Sequence, residues 1–347
     1  MTKVSRSLLS TIAVLLSVSF AVAQQPAATA PGAPAAPGAP TQARAPRAPR
    51  PDKPFAIEAL NPELWKLIDK DAKLETMGSG FGFTEGPVWD PSGFLWVSDE
   101  SKNKIFKLYP DGHTEDMVSL VDPDGSTYDK QHRLWSTASG LRAIIELSVD
   151  GKSFDTIVDH FQGKKLNTPN DIIVGPDGAF YLTDPIIDMK RDQVQEGPES
   201  IYRMDAKTHN LTLLTTELKR PNGLVFSPDG KYLYINDDDT KNIHRYNFHK
   251  DGTISDGMVF GDMTDPVNRG VPDGMKVDKK GNLYVSGPDG IWVWNNKGVH
   301  IGTFHMPHGM ANLTWGGPDY SKLYITAGNT VYILQTKTRG LLDYLKK

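Results

Sequence analysis

The sequence predicts an all-β chain, a six-bladed β-propeller preceded by a short N-terminal helix. A strand–turn–strand unit recurs six times, and self-similarity at 40–50 residues marks repeat architectures. Its strands are rich in Tyr, Val, Ile and Trp, and turn residues punctuate them every 8–12 residues or so, the pattern of many short antiparallel strands. Pro-Asp-Gly and Lys-Gly-Asn tripeptides supply residues that tolerate hairpin dihedrals. A two-sheet sandwich is the alternative, but six copies of one motif fit a closed ring better.

The copies run in order. The first is "EGPVWDPSGFLWVSDESKNKIFKLYPDG" (85–112) and the second "GSTYDKQHRLWSTASGLRAIIELSVDG" (125–151). The third opens at "NDIIVGPDGAFYLTDP" (170–185) and the fourth is "NGLVFSPDGKYLYINDDDTKNIHRYNFHKDG" (222–252). "DGMKVDKKGNLYVSGPDGIWVWNNKG" (273–298) and "NLTWGGPDYSKLYITAGNTVYILQT" (312–336) complete the set. Ahead of them, "NPELWKLIDKDA" (61–72) predicts a helix, with Asn61 as N-cap, Pro62 in its first turn and Leu64, Leu67 and Ile68 on one face. Residues 74–77 are placed to complete the last blade and close the circle.

The N-terminal segment reads differently. Lys3 and Arg6 precede an apolar run from about Leu8 to Val22, and "AVAQ" (21–24) offers a cleavage site after Ala23. Residues 1–23 are therefore expected to be an export signal, giving a periplasmic or secreted protein with no membrane span in the mature chain. The run is short for a bilayer, which needs about 20 residues, so an uncleaved anchor is the lesser alternative. Residues 24–54 are nearly all Pro, Ala and Gly with a few arginines, a composition that cannot bury apolar surface and predicts a disordered tether. The folded body is then 55–347.

Composition excludes several function classes. The chain carries a formal charge of −4. Residues 1–54 hold six basic residues and one acidic one, so the body is about −9, against a nucleic-acid-binding face. There is no cysteine, hence no disulfide, thiolate zinc site or Cys nucleophile. Neither G-x-S-x-G nor H-E-x-x-H occurs, which argues against a serine hydrolase or a zincin.

One register position stands out. Glu85, Asn170, Asn222 and Asp273 each open the innermost strand of their repeat. In a propeller that strand lines the central channel, so residues far apart in the chain converge at one mouth. Two carboxylates and two amide carbonyls form a hard oxygen set that neutralises a divalent cation and suits calcium; magnesium or manganese is the alternative. Zinc would want His or Cys, and neither recurs at this place. Asp or Asn beside Gly is also ordinary turn chemistry, and "PDG" at 123–125, 176–178, 228–230 and 288–290 is read so. Acidic "NDDDT" (236–240) reads as a solvated turn rather than a second calcium site, and "GSGFGF" (78–83) lacks the helix a phosphate cradle needs. His305 and His308 read as hydrogen-bonded loop residues rather than channel-mouth groups.

The blocks "EGPVW", "KLNTPNDIIVGPDGAFYLTDP", "LKRPNGLVFSPDGKYLYIND", "VPDGMKVDKKGNLYVSGPDGIWVW" and "LYITAGNTVY" resemble the gluconolactonase and regucalcin family of calcium-dependent propeller lactonases, bacterial exported gluconolactonases most of all. The resemblance spans about 85–332. It implies that Glu85, Asn170, Asn222 and Asp273 ligate the metal, that Asp273 is the general base or a water-orienting carboxylate, and that the substrate is a sugar lactone. It also implies that Asn170, Lys165 and Arg142 contact substrate. The second repeat departs from the family pattern: Ala138 and Ser139 stand where an acid is usual, and the Asn-Gly opening is missing near Ser126. Other readings are a calcium-dependent organophosphatase or aryl-esterase, and a non-catalytic propeller stabilised by calcium. Nothing in the sequence sets the oligomeric state.

Overall fold

A computed structural model describes residues 53–187 and 197–342. The predicted export signal and all but the last two residues of the Pro/Ala-rich segment lie outside the described residues. The repeats fold as six antiparallel sheets. The innermost strands are Thr84–Asp90, Pro123–Tyr128, Ile172–Val174, Pro221–Phe226, Met275–Val277 and Asn312–Gly316. Each touches its neighbour on either side, and the sixth contacts the first. The ring is closed, and the chain is a six-bladed β-propeller.

Closure is made by the N-terminal part of the chain. Leu74–Ser79 pairs antiparallel with Thr330–Gln335, Leu74 opposite Leu334, and supplies the outermost strand of the sixth blade. Without it this sheet would hold three strands, where each of the other blades has four or more. The fifth blade gains an extra strand, Ala56–Ala59, paired with His300–His305, and a two-residue ladder joins His160–Phe161 to Lys164–Lys165. Neither carries the aromatic, β-branched pattern of the repeats, and the sequence reading did not include them.

The predicted helix is present as one turn and a half of 3₁₀ helix, Pro62–Lys66. Asn61 caps it: its Oδ1 accepts the Glu63 amide at 2.9 Å. Leu64, Leu67 and Ile68 are buried as expected, packed with residues of the fifth and sixth blades. It ends short of residue 72 because Leu67 and Ile68 both donate to Leu64 O, after which the backbone turns at Asp69–Ala72.

The core is a set of wedges between adjacent blades rather than one central mass. Trp135 packs against Phe180 at 4.5 Å between the second and third blades. Trp315 meets Tyr284 edge to face at 5.0 Å between the sixth and fifth. All four are essentially inaccessible, and burying a side chain of this size stabilises by about 1.5–3 kcal/mol. With its apolar mass in the wedges, the axis is left to polar groups.

Candidate active site

The four residues singled out by register line a single cavity of about 210 Å³ at one mouth of the channel, together with Glu100, Asp124, Ser139 and Asp238. Distance along the chain is no obstacle, because each sits at the same place in its blade. Thr84 pairs with Asp99, Pro123 with Ala138 and Pro221 with Asp237, a common register at the start of the inner strand. The backbone at this level is fastened blade to blade. Ser98 Oγ donates to Asp124 O at 2.8 Å, Thr137 Oγ1 to Asn170 O at 2.5 Å and Ser286 Oγ to Ala311 O at 2.6 Å, while Asn236 Nδ2 donates to Asp273 O. A hydroxyl or amide on the second strand of one blade thus fixes the residue that opens the next, and the oxygen donors inherit that rigidity.

Side-chain hydrogen bonds set which atoms face the cavity. Asn170 Nδ2 donates to Asp124 Oδ2 at 2.7 Å, and Asn222 Nδ2 donates to Asp238 Oδ2 at 3.4 Å. Glu85 Oε2 accepts from Gly86 N and, at 2.9 Å, from Asn312 Nδ2. Asn312 itself is fully engaged, since its Oδ1 accepts the Leu313 amide at 2.9 Å.

The electrostatics are those of crowded, desolvated acids. Burial pushes the Glu85 carboxyl up to about 7, with the Asp171 charge adding to the effect against donors at Gly86 and Asn312. Burial likewise pushes Asp238 up to about 7. Asp124 and Asp273 rise well above the usual carboxylate range, from burial first and then from neighbouring acids, Glu100 foremost for Asp124 and Glu85 for Asp273. A cation on the axis would reverse this pressure by favouring the ionised forms.

The sign of the pH effect follows. A carboxyl whose folded pKa lies above its unfolded value favours folding only while protonated, so its contribution falls as pH rises through the folded pKa. Glu85, Asp238 and the similarly shifted, buried Asp184 all act in this sense. His244 and His300, held below their usual value by burial, act oppositely, but their share is small in this range because the unfolded imidazole is already half neutral at about pH 6.5 and loses the rest of its charge soon above it. In chelator, the melting temperature should therefore fall between pH 6.5 and 8, and excess calcium should flatten the slope. A chelated protein whose melting temperature climbs over that interval would contradict the assignment.

The donor set fits a hard cation. Among the described residues no three His, Asp or Glu side chains are grouped to hold an ion by themselves, so an ion here would draw on amide oxygens as well. With both Asn NH2 groups turned to carboxylates, Asn170 Oδ1 and Asn222 Oδ1 are the atoms left for it. Hard oxygens in mixed carboxylate and carbonyl sets suit calcium.

Several other residues singled out in the sequence have definite places. Lys165 does not line the axial cavity; it borders a separate surface depression with Phe161, Lys164 and Tyr202. Arg142 does not line it either: its Nε donates to Leu166 O at 2.6 Å and to Asn167 O at 3.0 Å, bracing the segment that leads into the third blade. "PDG" at 123–125 is no turn, because Pro123 opens the second blade's inner strand and Asp124 occupies the same register as Asp273. The opening sought near Ser126 is thus Pro123-Asp124-Gly125. "NDDDT" does turn, at 238–240 with Asp239 exposed, but it is not solvated throughout: Asp237 and Asp238 are buried, Asp237 accepts the Lys219 and Arg220 amides, and Asp239 pairs with Arg220 at 3.0 Å. His305 is a structural residue, between Asp289 at 2.9 Å and Glu58 at 3.3 Å.

Fold and cavity together define a six-bladed propeller with an oxygen-donor site at one axial mouth. The profile of the SMP-30/gluconolactonase/LRE-like region matches residues 83–329. The chain is 30% identical over 318 residues to the gluconolactonase of Zymomonas mobilis, spanning 82% of this chain and 87% of that one. The solved gluconolactonase of Xanthomonas campestris matches with a TM-score of 0.74 at 28% identity, covering 83% of this chain and 99% of that chain. Regucalcin of Agrobacterium tumefaciens, described as a calcium-binding protein, shares the fold with a TM-score of 0.64 at 19% identity, over 82% of this chain and 96% of that one. The chain belongs to the SMP-30/gluconolactonase/LRE-like family.

Proposed function

We propose that the protein is a lactonase that opens the ring ester of a sugar lactone to the hydroxy acid, using a divalent cation, calcium first, on the propeller axis. The observation that carries the reading is the one cavity shared by Glu85, Asn170, Asn222 and Asp273. Family membership and the gluconolactonase relatives support the substrate class. A cation bound there would supply Lewis-acid polarisation of the lactone carbonyl.

The chain's own groups account for the rest. Asn170 and Asn222 present carbonyl oxygens from two adjacent blades, which fixes the direction from which the ring can sit. Asp273 is the base: its carboxylate accepts a proton from a water molecule as that water adds to the carbonyl carbon. The ring C–O bond then breaks, and the proton passes to the departing ring oxygen, which becomes the new hydroxyl. Burial and the Glu85 charge raise the Asp273 pKa, which brings a carboxylate towards the range where a general base works at neutral pH. The cation opposes that rise, and an activated ester such as a lactone needs only a weak base.

A hydrolysis screen tests the proposal. Purified protein is assayed on several aldonolactones, an aryl ester and an organophosphate, with calcium and with chelator. The expected result is turnover of at least one aldonolactone, loss of that activity on chelation and recovery on adding calcium back. Turnover confined to the aryl ester or organophosphate, or no turnover by calcium-loaded protein, would overturn it.

A further inference from the structure

We infer that Asp124 and Asp238 are positioning residues that aim the two asparagine amides, so that each shows a cation its oxygen and not its NH2. This rests on the proposed axial cation but not on the identity of the substrate.

An asparagine side chain can sit either way round in its pocket. Its amide has nearly the same shape with oxygen and nitrogen exchanged, but one end accepts and the other donates. A cation needs the oxygen, so an unguided Asn spends part of its time turned the wrong way. The chain resolves this twice. Asn170 is buried and its Nδ2 donates to Asp124 Oδ2 at 2.7 Å. Asn222 is buried and its Nδ2 donates to Asp238 Oδ2 at 3.4 Å. A cation on the axis favours the ionised carboxylate, and an ionised carboxylate can only accept, so it selects the NH2 end and leaves the oxygen facing away. Partners behind metal ligands act in this way, and losing one typically costs about 10- to 100-fold in metal affinity.

The carboxylates are themselves held for the task. Asp124 is buried, lies on the strand register of the cation-facing residues, and accepts from Ser139 Oγ at 3.3 Å on the same Oδ2. Ser139 Oγ lies 2.7 Å from Pro169 O, one residue before Asn170. Asp238 follows Asp237 at the end of the fourth blade's second strand, and its amide donates to Arg220 O at 2.9 Å, two residues before Asn222. Each acid is therefore tied to the backbone that carries the Asn it orients. The shorter contact makes Asp124 the stronger of the two.

The test is a pair of exchanges read by cation affinity. Calcium binding is measured by titration calorimetry on the full chain, and thermal stability is measured in chelator. Asp124→Asn should weaken calcium binding by about 10- to 100-fold, and Asp238→Asn by less, while the melting temperature of the chelated protein is unchanged or higher because a crowded, desolvated acid is gone. The double variant Asp124→Asn with Asn170→Asp exchanges acid and amide: position 170 then offers only oxygens, position 124 can donate to it, and affinity should recover towards wild type. If Asp124→Asn binds calcium as the wild type does, or if the wild type binds no divalent ion, the inference falls. It also falls if the double variant stays as weak as the single one, which would make Asp124 a direct ligand. A wild type that binds calcium with the expected pattern but opens no lactone removes the lactonase reading and leaves this inference standing.

Discussion

Asp273→Asn should lower kcat/KM for lactone opening by about 10²- to 10⁴-fold at saturating calcium, the usual contribution of a positioned general base. The amide keeps the size and one oxygen of the carboxylate but cannot accept the proton from water. It also removes a buried charge whose neighbours are Glu85 and Asp238, so the folded state should not suffer. The measurement is steady-state kinetics by pH-stat, paired with calcium affinity on the same sample. Near-wild-type turnover would move the base elsewhere in the cavity. Turnover lost together with calcium binding, and restored at high calcium, would leave Asp273 a ligand and nothing more.

The second large effect comes from a residue with no functional group. A methyl group on Gly223 would stand 2.3 Å from the carbonyl oxygen of Asp273 and 3.1 Å from its carbonyl carbon and from Gly274 Cα. These are backbone atoms in the neighbouring blade, so no side-chain rotation relieves the clash. The oxygen is the one that Asn236 Nδ2 holds. Gly223→Ala should therefore cost about 1–3 kcal/mol or more from overpacking, and each kcal/mol lowers the melting temperature by roughly 2–4 °C in a domain somewhat smaller than this one. Because the strand that yields carries Asp273, calcium affinity should fall as well. Gly309, which has no atom within 4 Å of an added methyl, is the control, and Gly309→Ala should be nearly silent in both measurements. Equal behaviour of the two variants would refute close blade contact at the axis.

The ring and four of its axial residues were legible because a propeller turns sequence register into spatial position. A residue that opens an inner strand must face the channel, however many residues separate it from its counterparts. The same logic would have found Asp124: "DPDG" (122–125) repeats the Pro-Asp-Gly of "VPDG" (271–274) at the start of the second blade. It was read as a turn because Pro-Asp-Gly also makes turns, and at 176–178 and 228–230 it does, with Gly178 N bonded to Gly175 O and Gly230 N to Ser227 O. Only the strand that follows tells the two apart. Asp238 carried no such mark, since three consecutive acids look solvated until the sheet buries two of them. Lys165 and Arg142 lie away from the axial cavity for the converse reason. Lys165 lies in the segment between the second and third blades, and Arg142 in the turn joining the second blade's second and third strands; neither opens an inner strand, so repeat register gives their side chains no direction.

The pairing of Leu74 with Leu334 brings together residues 260 positions apart, so the ring joins only after nearly all of the chain has been made. Contacts of such long sequence separation form slowly, since their loop-closure entropy must be met before they stabilise anything. Glu85 in the first blade meets Asn312 in the sixth across this same seam. A polypeptide that ends before the sixth blade lacks Asn312 and cannot give the Glu85 carboxylate this partner. For the proposed reaction, completion of the chain is then a precondition of the chemistry.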